Sequence, residues 1–189
     1  MRRLRIPPAV LIALIASLSA ARADSRSFDE QMQPVLDLYL TIPKILAADE
    51  TKGVQRVAEK IAGLAAELDP SGVTGGHSAH VQKIPQQLEA AAEKLAAAKD
   101  IAAMREALKD LSKPMALWAT LRKPDGVSVM YCSMAPGSWL QKDDTRIANP
   151  YYGSKMLRCG EIVAGPGAGS ESGHMKSEPK NEGDGHGRH

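Results

Sequence analysis

Residues 100–121 read DIAAMREALKDLSKPMALWATL, and this stretch decides the fold. Its apolar side chains recur every three or four positions, which is the spacing of one face of an α-helix. The stripe consists of Ile101, Met104, Leu108, Leu111, Met115 and Trp118. The pattern therefore predicts a helix that begins near Asp100 and buries this stripe against neighbouring helices.

Three segments upstream have the same periodicity. The first follows an S-x-x-E capping box at Ser27 and runs to about residue 48, with Pro43 expected to bend it or end it early. The second covers residues 54–68 and the third residues 81–95. Amphipathic helices with short connections predict an antiparallel bundle.

The fold class predicted from these patterns is all-α. We expect a four-helix antiparallel bundle over residues 27–122, and a compact loop with a short β motif packed on it at residues 123–164. Residues 127–131, VSVMY, supply the β-prone alternation. The last 25 residues, 165–189, contain seven glycines and no Val, Ile, Leu or aromatic residue, so a disordered tail is predicted there.

The N-terminus has the form of a secretory signal peptide. Residues 1–23 combine an arginine-rich start, an apolar run at 9–20 and a small-x-small cleavage site that ends at Ala23. The apolar run is much shorter than the roughly 20 residues that span a bilayer. We therefore expect cleavage after Ala23, a periplasmic protein, and no membrane insertion of the mature chain.

Removal of this segment changes the sign of the charge. The full chain has a formal net charge of +2, but four arginines and no acidic residue lie in 1–23, which leaves 20 basic and 22 acidic residues and a net charge of −2. Without an excess of basic residues, we expect no nucleic-acid partner. The sequence also has no C-x-x-C, no H-E-x-x-H and no glycine-rich phosphate loop, so we do not predict an enzyme.

The two cysteines of the chain each have a methionine nearby, in the patterns C-x-M and M-x-x-C. Thiolates and thioethers are soft donors that select Cu(I) or Ag(I) over hard cations. The candidate metal ligands are Cys132, Met134, Met156 and Cys159. The aromatic residues expected to shield this site from water and oxidant are Trp139, Tyr151 and Tyr152.

Two alternatives stay open at this point. Two cysteines in an exported protein often form a disulfide, and a Cys132–Cys159 bond would contribute roughly 3–4 kcal/mol in the chain-entropy model. The protein would then be a structural or interaction module without a metal. His77 and His80 would share a helical face as an accessory site for Cu(II) or Zn(II), or they are ordinary solvated residues.

The motif around the cysteines resembles a known family pattern. Residues 131–161 contain C-S-M, W-L and N-P-Y-Y-G-S-K-M-L-R-C-G, close to the signature C-P-M, W-L and N-P-Y-x-G-x-x-M-L-x-C-G. That signature is typical of an uncharacterised exported domain, which is also found appended to periplasmic adaptor subunits of copper/silver-type RND efflux systems. Ser133 stands where proline is usual. The likeness covers most of residues 28–164.

The resemblance also includes part of the last predicted helix, at Asp100, Arg105 and Ser112. It implies a helical bundle with a role in periplasmic heavy-metal handling, and it matches the two cysteines and two methionines to the sulfur positions of the family. The predicted function is therefore binding of Cu(I) or Ag(I), for sequestration or for delivery to heavy-metal efflux components.

Overall fold

The computed structural model describes residues 26–142 and 146–168. The predicted signal segment at 1–23 and all of the predicted tail after residue 168 lie outside these ranges. The six helices of the described residues are α1 (Phe28–Tyr39), α2 (Thr41–Ala47), α3 (Val54–Ala66), α4 (Ser78–Val81), α5 (Ile84–Ala97) and α6 (Ile101–Arg122). They are followed by β1 (Val127–Cys132), β2 (Gly137–Lys142), a 3-10 turn (Gly153–Met156) and β3 (Glu161–Ala164).

The first helix begins and ends as its sequence predicts. The Ser27 hydroxyl accepts the Glu30 N–H at 3.3 Å, and the Glu30 carboxylate accepts the Ser27 N–H at 2.7 Å, which completes the capping box. The helical path breaks between Tyr39 and Thr41. Pro43 causes this break, because it has no N–H to donate to the carbonyl of Tyr39, four residues earlier.

The helices pack through their apolar faces. Helix α3 lies against α1 and α5, and α5 lies against α6. The α6 stripe is buried except at Ile101, which is partly exposed; its buried members are Met104, Leu108, Leu111, Met115 and Trp118. Burial of each such side chain stabilises the fold by roughly 1.5–3 kcal/mol. None of the helices in the described ranges has the length and apolar character required to cross a membrane.

The prediction of an all-α fold is wrong, because the chain after α6 forms a sheet. Three antiparallel strands lie in the order β2-β1-β3, so the fold is mixed α and β. In β1, Met130 lies opposite Trp139 of β2 and Ile162 of β3. Strand β2 (GSWLQK) has few β-prone residues and β3 has four residues, so neither shows a strand pattern without its partner.

The sheet packs on α6 through β1 and β2. Strand β2 is an edge strand, so N–H groups on its outer side need partners from elsewhere in the fold. The Tyr39 hydroxyl accepts the Leu140 N–H at 3.2 Å and lies 2.6 Å from the Ser112 hydroxyl. Residues of α1, α6 and β2 thus meet in one buried polar cluster, which attaches the sheet to the helices.

Candidate functional site

The two cysteines come together at one end of the sheet. Cys132 is the last residue of β1, and Cys159 precedes β3, which pairs with β1. Their Sγ atoms lie 3.1 Å apart, and both thiols are free. The antiparallel pairing of β1 and β3 explains this contact, because Tyr131 lies opposite Glu161, next to each cysteine.

Cys132 is fully buried and surrounded by hydrogen-bond donors. Burial alone raises the pKa of its thiol, but donors from the Cys159 thiol, the Ala135 and Met134 N–H groups and the Asn149 amide outweigh burial. The net effect lowers the pKa of Cys132. Of the two thiols, Cys132 is therefore the one that loses its proton more readily.

Cys159 is partly exposed and has the opposite tendency. The hydrogen bond to Cys132 raises the pKa of the Cys159 thiol, and burial raises it further. Of the two thiols, Cys159 therefore holds its proton more tightly. A pair of this kind has two chemical options, which are oxidation to a disulfide and coordination of a soft cation.

Asn149 holds the segment that carries Cys159. Its side-chain amide donates to the Cys159 carbonyl at 2.7 Å, and its side-chain oxygen accepts the Tyr151 N–H at 2.8 Å and the Tyr152 N–H at 3.3 Å. Its own N–H donates to the Leu157 carbonyl at 2.8 Å. Asn149 is fully buried, so each of these bonds replaces water that is excluded from the site.

A charged junction attaches this segment to the helices. Arg105 of α6 donates to the Pro150 carbonyl at 2.8 Å and to the Asp49 carboxylate at 2.6 Å. Asp49, in the loop after α2, also accepts the Ser154 N–H at 2.9 Å. Hydrogen bonds from Ser154 and then from Arg105 hold the pKa of Asp49 well below its usual range. The carboxylate is therefore ionised wherever the protein is folded near neutral pH.

Gly153 lies against this junction, and replacement by any residue with a side chain would introduce strain. Its φ is +58°, a left-handed conformation that side chains disfavour. A Cβ placed there would lie 2.0 Å from Asp49 Oδ1 and 2.4 Å from an Arg105 nitrogen. The absence of a side chain at Gly153 lets the 3-10 turn approach the ion pair.

Two of the three predicted shielding residues are buried beside the cysteines. Trp139 is fully buried and meets Tyr151 edge to face, with ring centroids 5.8 Å apart and planes at 89°. A Cβ at Gly160, the residue after Cys159, would lie 2.7 Å from the Trp139 ring. The Tyr151 ring packs on Gly137, which pairs with Cys132 across the strands.

The third aromatic residue and the two methionines lie nearer the surface. Tyr152 is partly exposed, and its hydroxyl donates to the Met134 carbonyl at 2.9 Å. The carbonyl of Met156 accepts the Cys159 N–H at 3.0 Å. Met134 is 61% exposed and Met156 37%. Both methionines therefore adjoin the thiol pair along the main chain, with their side chains accessible from solvent.

The two histidines lie elsewhere in the fold. His77 precedes α4 and His80 is within it, and both are exposed. Over residues 26–142 and 146–168, no group of three or more His, Cys, Asp or Glu side chains is placed to hold a metal ion. The histidines of the C-terminal tail, at 174, 186 and 189, lie outside the described residues.

Sequence reasoning from spacing alone missed the residues that position the thiols. Asn149 and Arg105 belong to the motifs of the family resemblance, but no positioning role was predicted for them. Asp49 was not singled out by any sequence pattern. A signal existed for Asn149, because Asn-Pro marks a turn in which the amide can bond to the main chain. No local signal identifies Asp49, since its partners lie in α6 and after β2.

Comparison with known protein families gives a match to the helical part of the chain. Residues 35–124 match the model of a family described as a protein of unknown function (DUF3347). No curated protein and no solved structure matches the chain. The matched range covers the helical part, from within α1 to the end of α6, and it ends before β1. The helical part of the chain is therefore similar to an uncharacterised family, and the thiol pair lies in the segment that follows the matched range.

Proposed function

We propose that the protein binds a soft monovalent cation, Cu(I) or Ag(I), through Cys132 and Cys159. The observation that supports this proposal is the contact of two free thiols whose sulfur atoms lie 3.1 Å apart. Binding in the periplasm would sequester the ion or deliver it to heavy-metal efflux components. Met134 and Met156 would contribute thioethers.

The chemistry of the donors fits such a cargo. Polarisable sulfur binds polarisable d¹⁰ cations, whereas Mg²⁺ and Ca²⁺ require oxygen ligands. Hydrogen bonding outweighs burial and lowers the pKa of the Cys132 thiol, which eases its deprotonation by a cation. Buried Trp139 and Tyr151 beside the pair would limit access of water and oxidant to bound ion.

Cation binding requires a small movement of the pair. In a tetrahedral metal–thiolate site with bonds of about 2.3 Å, as zinc forms, two sulfurs lie about 3.8 Å apart, more than the 3.1 Å between Cys132 and Cys159. Cys132 is fixed in the central strand of the sheet, so rotation of the partly exposed Cys159 side chain would open the pair. Binding also displaces thiol protons, so affinity should fall as the pH falls.

A competition titration tests the proposal. Reduced protein is mixed anaerobically with the Cu(I) complex of a chromogenic chelator, and transfer of Cu(I) is read from the loss of colour. We expect wild type to remove Cu(I) from the chelator and the Cys132→Ser/Cys159→Ser double variant to remove little. A His77→Asn/His80→Asn double variant is the matched control and should behave as wild type. Equal transfer to wild type and to the double serine variant would refute the proposal.

The 3.1 Å contact also favours a second function, a structural or interaction module closed by a disulfide. The sulfurs need to approach by about 1 Å to reach the bond length of about 2.05 Å. The bond would close a loop between residues 27 positions apart and stabilise the fold by roughly 3–4 kcal/mol. Such a module would lose stability on reduction, while a pull-down with efflux components would retain its partner in the double serine variant.

A further inference from the structure

We propose that Cys159 is the sulfur at which the pair exchanges disulfides with an external dithiol protein, and that this exchange switches the pair between a disulfide and a cation-binding dithiol. The switching of cation binding rests on the proposed function. The choice of Cys159 over Cys132 does not, because it follows from the geometry of the pair alone.

Access distinguishes the two sulfurs. Cys132 is 0% exposed, at the end of the central strand, and its pairing partner Gly137 is covered by the Tyr151 ring. Cys159 is partly exposed in the turn before β3. An attacking thiolate approaches a disulfide along the S–S axis, from the side opposite the leaving sulfur. A nucleophile can reach the partly exposed Cys159, whereas Cys132 has no exposed surface.

Cys132 stays in place as the leaving sulfur. It is the last residue of the central strand, which pairs with both β2 and β3, so its position does not depend on a bond to Cys159. The departing sulfur therefore remains beside Cys159 and can re-form the disulfide in the reverse reaction.

The backbone of Cys159 is held while its side chain reacts. Its N–H donates to Met156 and its carbonyl accepts from Asn149, at 3.0 and 2.7 Å. A mixed disulfide at Cys159 therefore requires rotation of one side chain rather than movement of the strand. Met134 and Met156, two and three residues along the chain from the cysteines, have exposed side chains that an incoming protein can contact.

The steps balance as a two-electron exchange. A thiolate of the external dithiol attacks Cys159 Sγ, the Cys132–Cys159 bond breaks, and Cys132 leaves as a thiolate. The second thiolate of the external protein then attacks that protein's first sulfur, which is bonded to Cys159 in the mixed disulfide. Cys159 is released and takes up a proton. The pair is reduced and the external dithiol becomes a disulfide. An external disulfide drives the same steps in reverse and oxidises the pair.

Alkylation of the folded wild-type protein is the first test. Reduced protein is treated with substoichiometric iodoacetamide at neutral pH, and modified peptides are quantified by mass spectrometry. We expect at least tenfold more modification at Cys159 than at Cys132, and similar modification of both in guanidinium. Preferential modification of Cys132 in the folded protein would overturn the proposal.

Trapping of the mixed disulfide is the second test. Oxidised protein is mixed with thioredoxin whose resolving cysteine is replaced by serine, quenched with N-ethylmaleimide, and the linked peptides are sequenced. Linkage through Cys159 supports the proposal, and linkage through Cys132 overturns it. The serine variants add a matched pair, since Cys132→Ser should react with glutathione disulfide at least tenfold faster than Cys159→Ser.

The switching is tested separately with Cu(I). The reduced protein should remove Cu(I) from the competing chelator, and the disulfide form should not. Retention of Cu(I) by both forms would overturn the switch. Failure of the reduced protein to bind Cu(I) would refute the proposed function and the switch together, while the alkylation ratio would still decide whether Cys159 is the exchange site.

Discussion

The guanidinium of Arg105 lies 2.6 Å from the carboxylate of Asp49, although 56 residues separate them in the chain. Arg105 also bonds to the Pro150 carbonyl, and Asp49 to the Ser154 N–H, so the ion pair joins α6 and the loop after α2 to the segment that carries Cys159. The helices and the thiol pair therefore form one structural unit. Substitutions at this junction should alter the position of the segment that carries Cys159.

The first prediction concerns the glycine at the junction. Gly153→Ala should lower the free energy of unfolding by about 2 kcal/mol or more, because the new methyl group would overlap Asp49 and Arg105 in a left-handed conformation. Gly63→Ala, in the interior of α3 with open space around its Cα, is the control and should be neutral or stabilising. Urea unfolding measures both, and equal effects would contradict the strain assigned to Gly153.

The second prediction concerns acid stability. The pKa of Asp49 is lower in the folded protein than in the unfolded chain, so its ionisation stabilises the fold above about pH 4 and this stabilisation is lost as the pH falls below that value. Asp49→Asn keeps a residue that tolerates the positive φ but removes the charge. The melting temperature of wild type should exceed that of the variant at pH 7, with a difference that shrinks below pH 4. A constant difference would contradict this role.

The third prediction concerns the hydroxyl that attaches β2. Tyr39→Phe leaves the buried Leu140 N–H and Ser112 hydroxyl without this partner, so unfolding should become easier by about 1–3 kcal/mol. Tyr152→Phe removes an exposed hydrogen bond to Met134 and should cost less than about 1 kcal/mol. Denaturant titration compares the two, and an equal loss would contradict the importance of burial.

The third prediction extends to alkaline pH, because it concerns the same hydroxyl of Tyr39. Burial raises the pKa of Tyr39 to about 12, above that of the unfolded chain, so the neutral hydroxyl stabilises the fold below about pH 10 and this stabilisation is lost as the pH rises towards 12. Stability measured between pH 9 and 12 should therefore fall less steeply in the Tyr39→Phe variant than in wild type. Parallel curves would show that other groups control alkaline unfolding.

The helical part of the fold could be predicted because its information is local. The α6 stripe repeats within one segment, and the capping box at Ser27 and the break caused by Pro43 depend on neighbours fewer than five residues away. The sheet could not be predicted in the same way. Strand β2 contains Gly137, Ser138 and Gln141, and it becomes a strand only because it pairs with β1 and because Tyr39 covers its outer edge.

The candidate site was also predictable only where its information is local. The soft donors were evident from sequence, since Cys132 and Cys159 each have a methionine within three residues. Their contact, the greater exposure of Cys159, and the support from Asn149 and Asp49 depend on pairing between distant segments. The sequence around Asp49 contains no pattern that distinguishes this residue from the solvent-exposed acidic residues of the helices.

The fourth prediction concerns Asn149, whose side chain bonds to three main-chain groups. Asn149→Ala should lower the free energy of unfolding by at least about 2 kcal/mol, because it leaves the Cys159 carbonyl and the Tyr151 N–H without partners inside the fold. Gln33→Ala, which removes an exposed hydrogen bond to Asp37, is the control and should have little effect. The variant should also lose part of the alkylation preference for Cys159, since the segment that Asn149 anchors at the Cys159 carbonyl loosens and exposes the buried Cys132. An unchanged preference would contradict a positioning role.

The last prediction separates thioether donors from packing methionines. If Met134 and Met156 bind the cation, replacement of each by leucine removes a soft donor from an exposed position, so Ag(I) or Cu(I) affinity should fall about tenfold or about 1.4 kcal/mol. The folded state should be unaffected, because neither side chain is buried. Met115→Leu is the matched control in the core, where a swap of similar volume costs less than about 1.5 kcal/mol of stability and should leave affinity unchanged. Chelator competition measures affinity and thermal unfolding measures stability. Unchanged affinity in the Met134→Leu/Met156→Leu double variant would limit the ligands to the two thiolates.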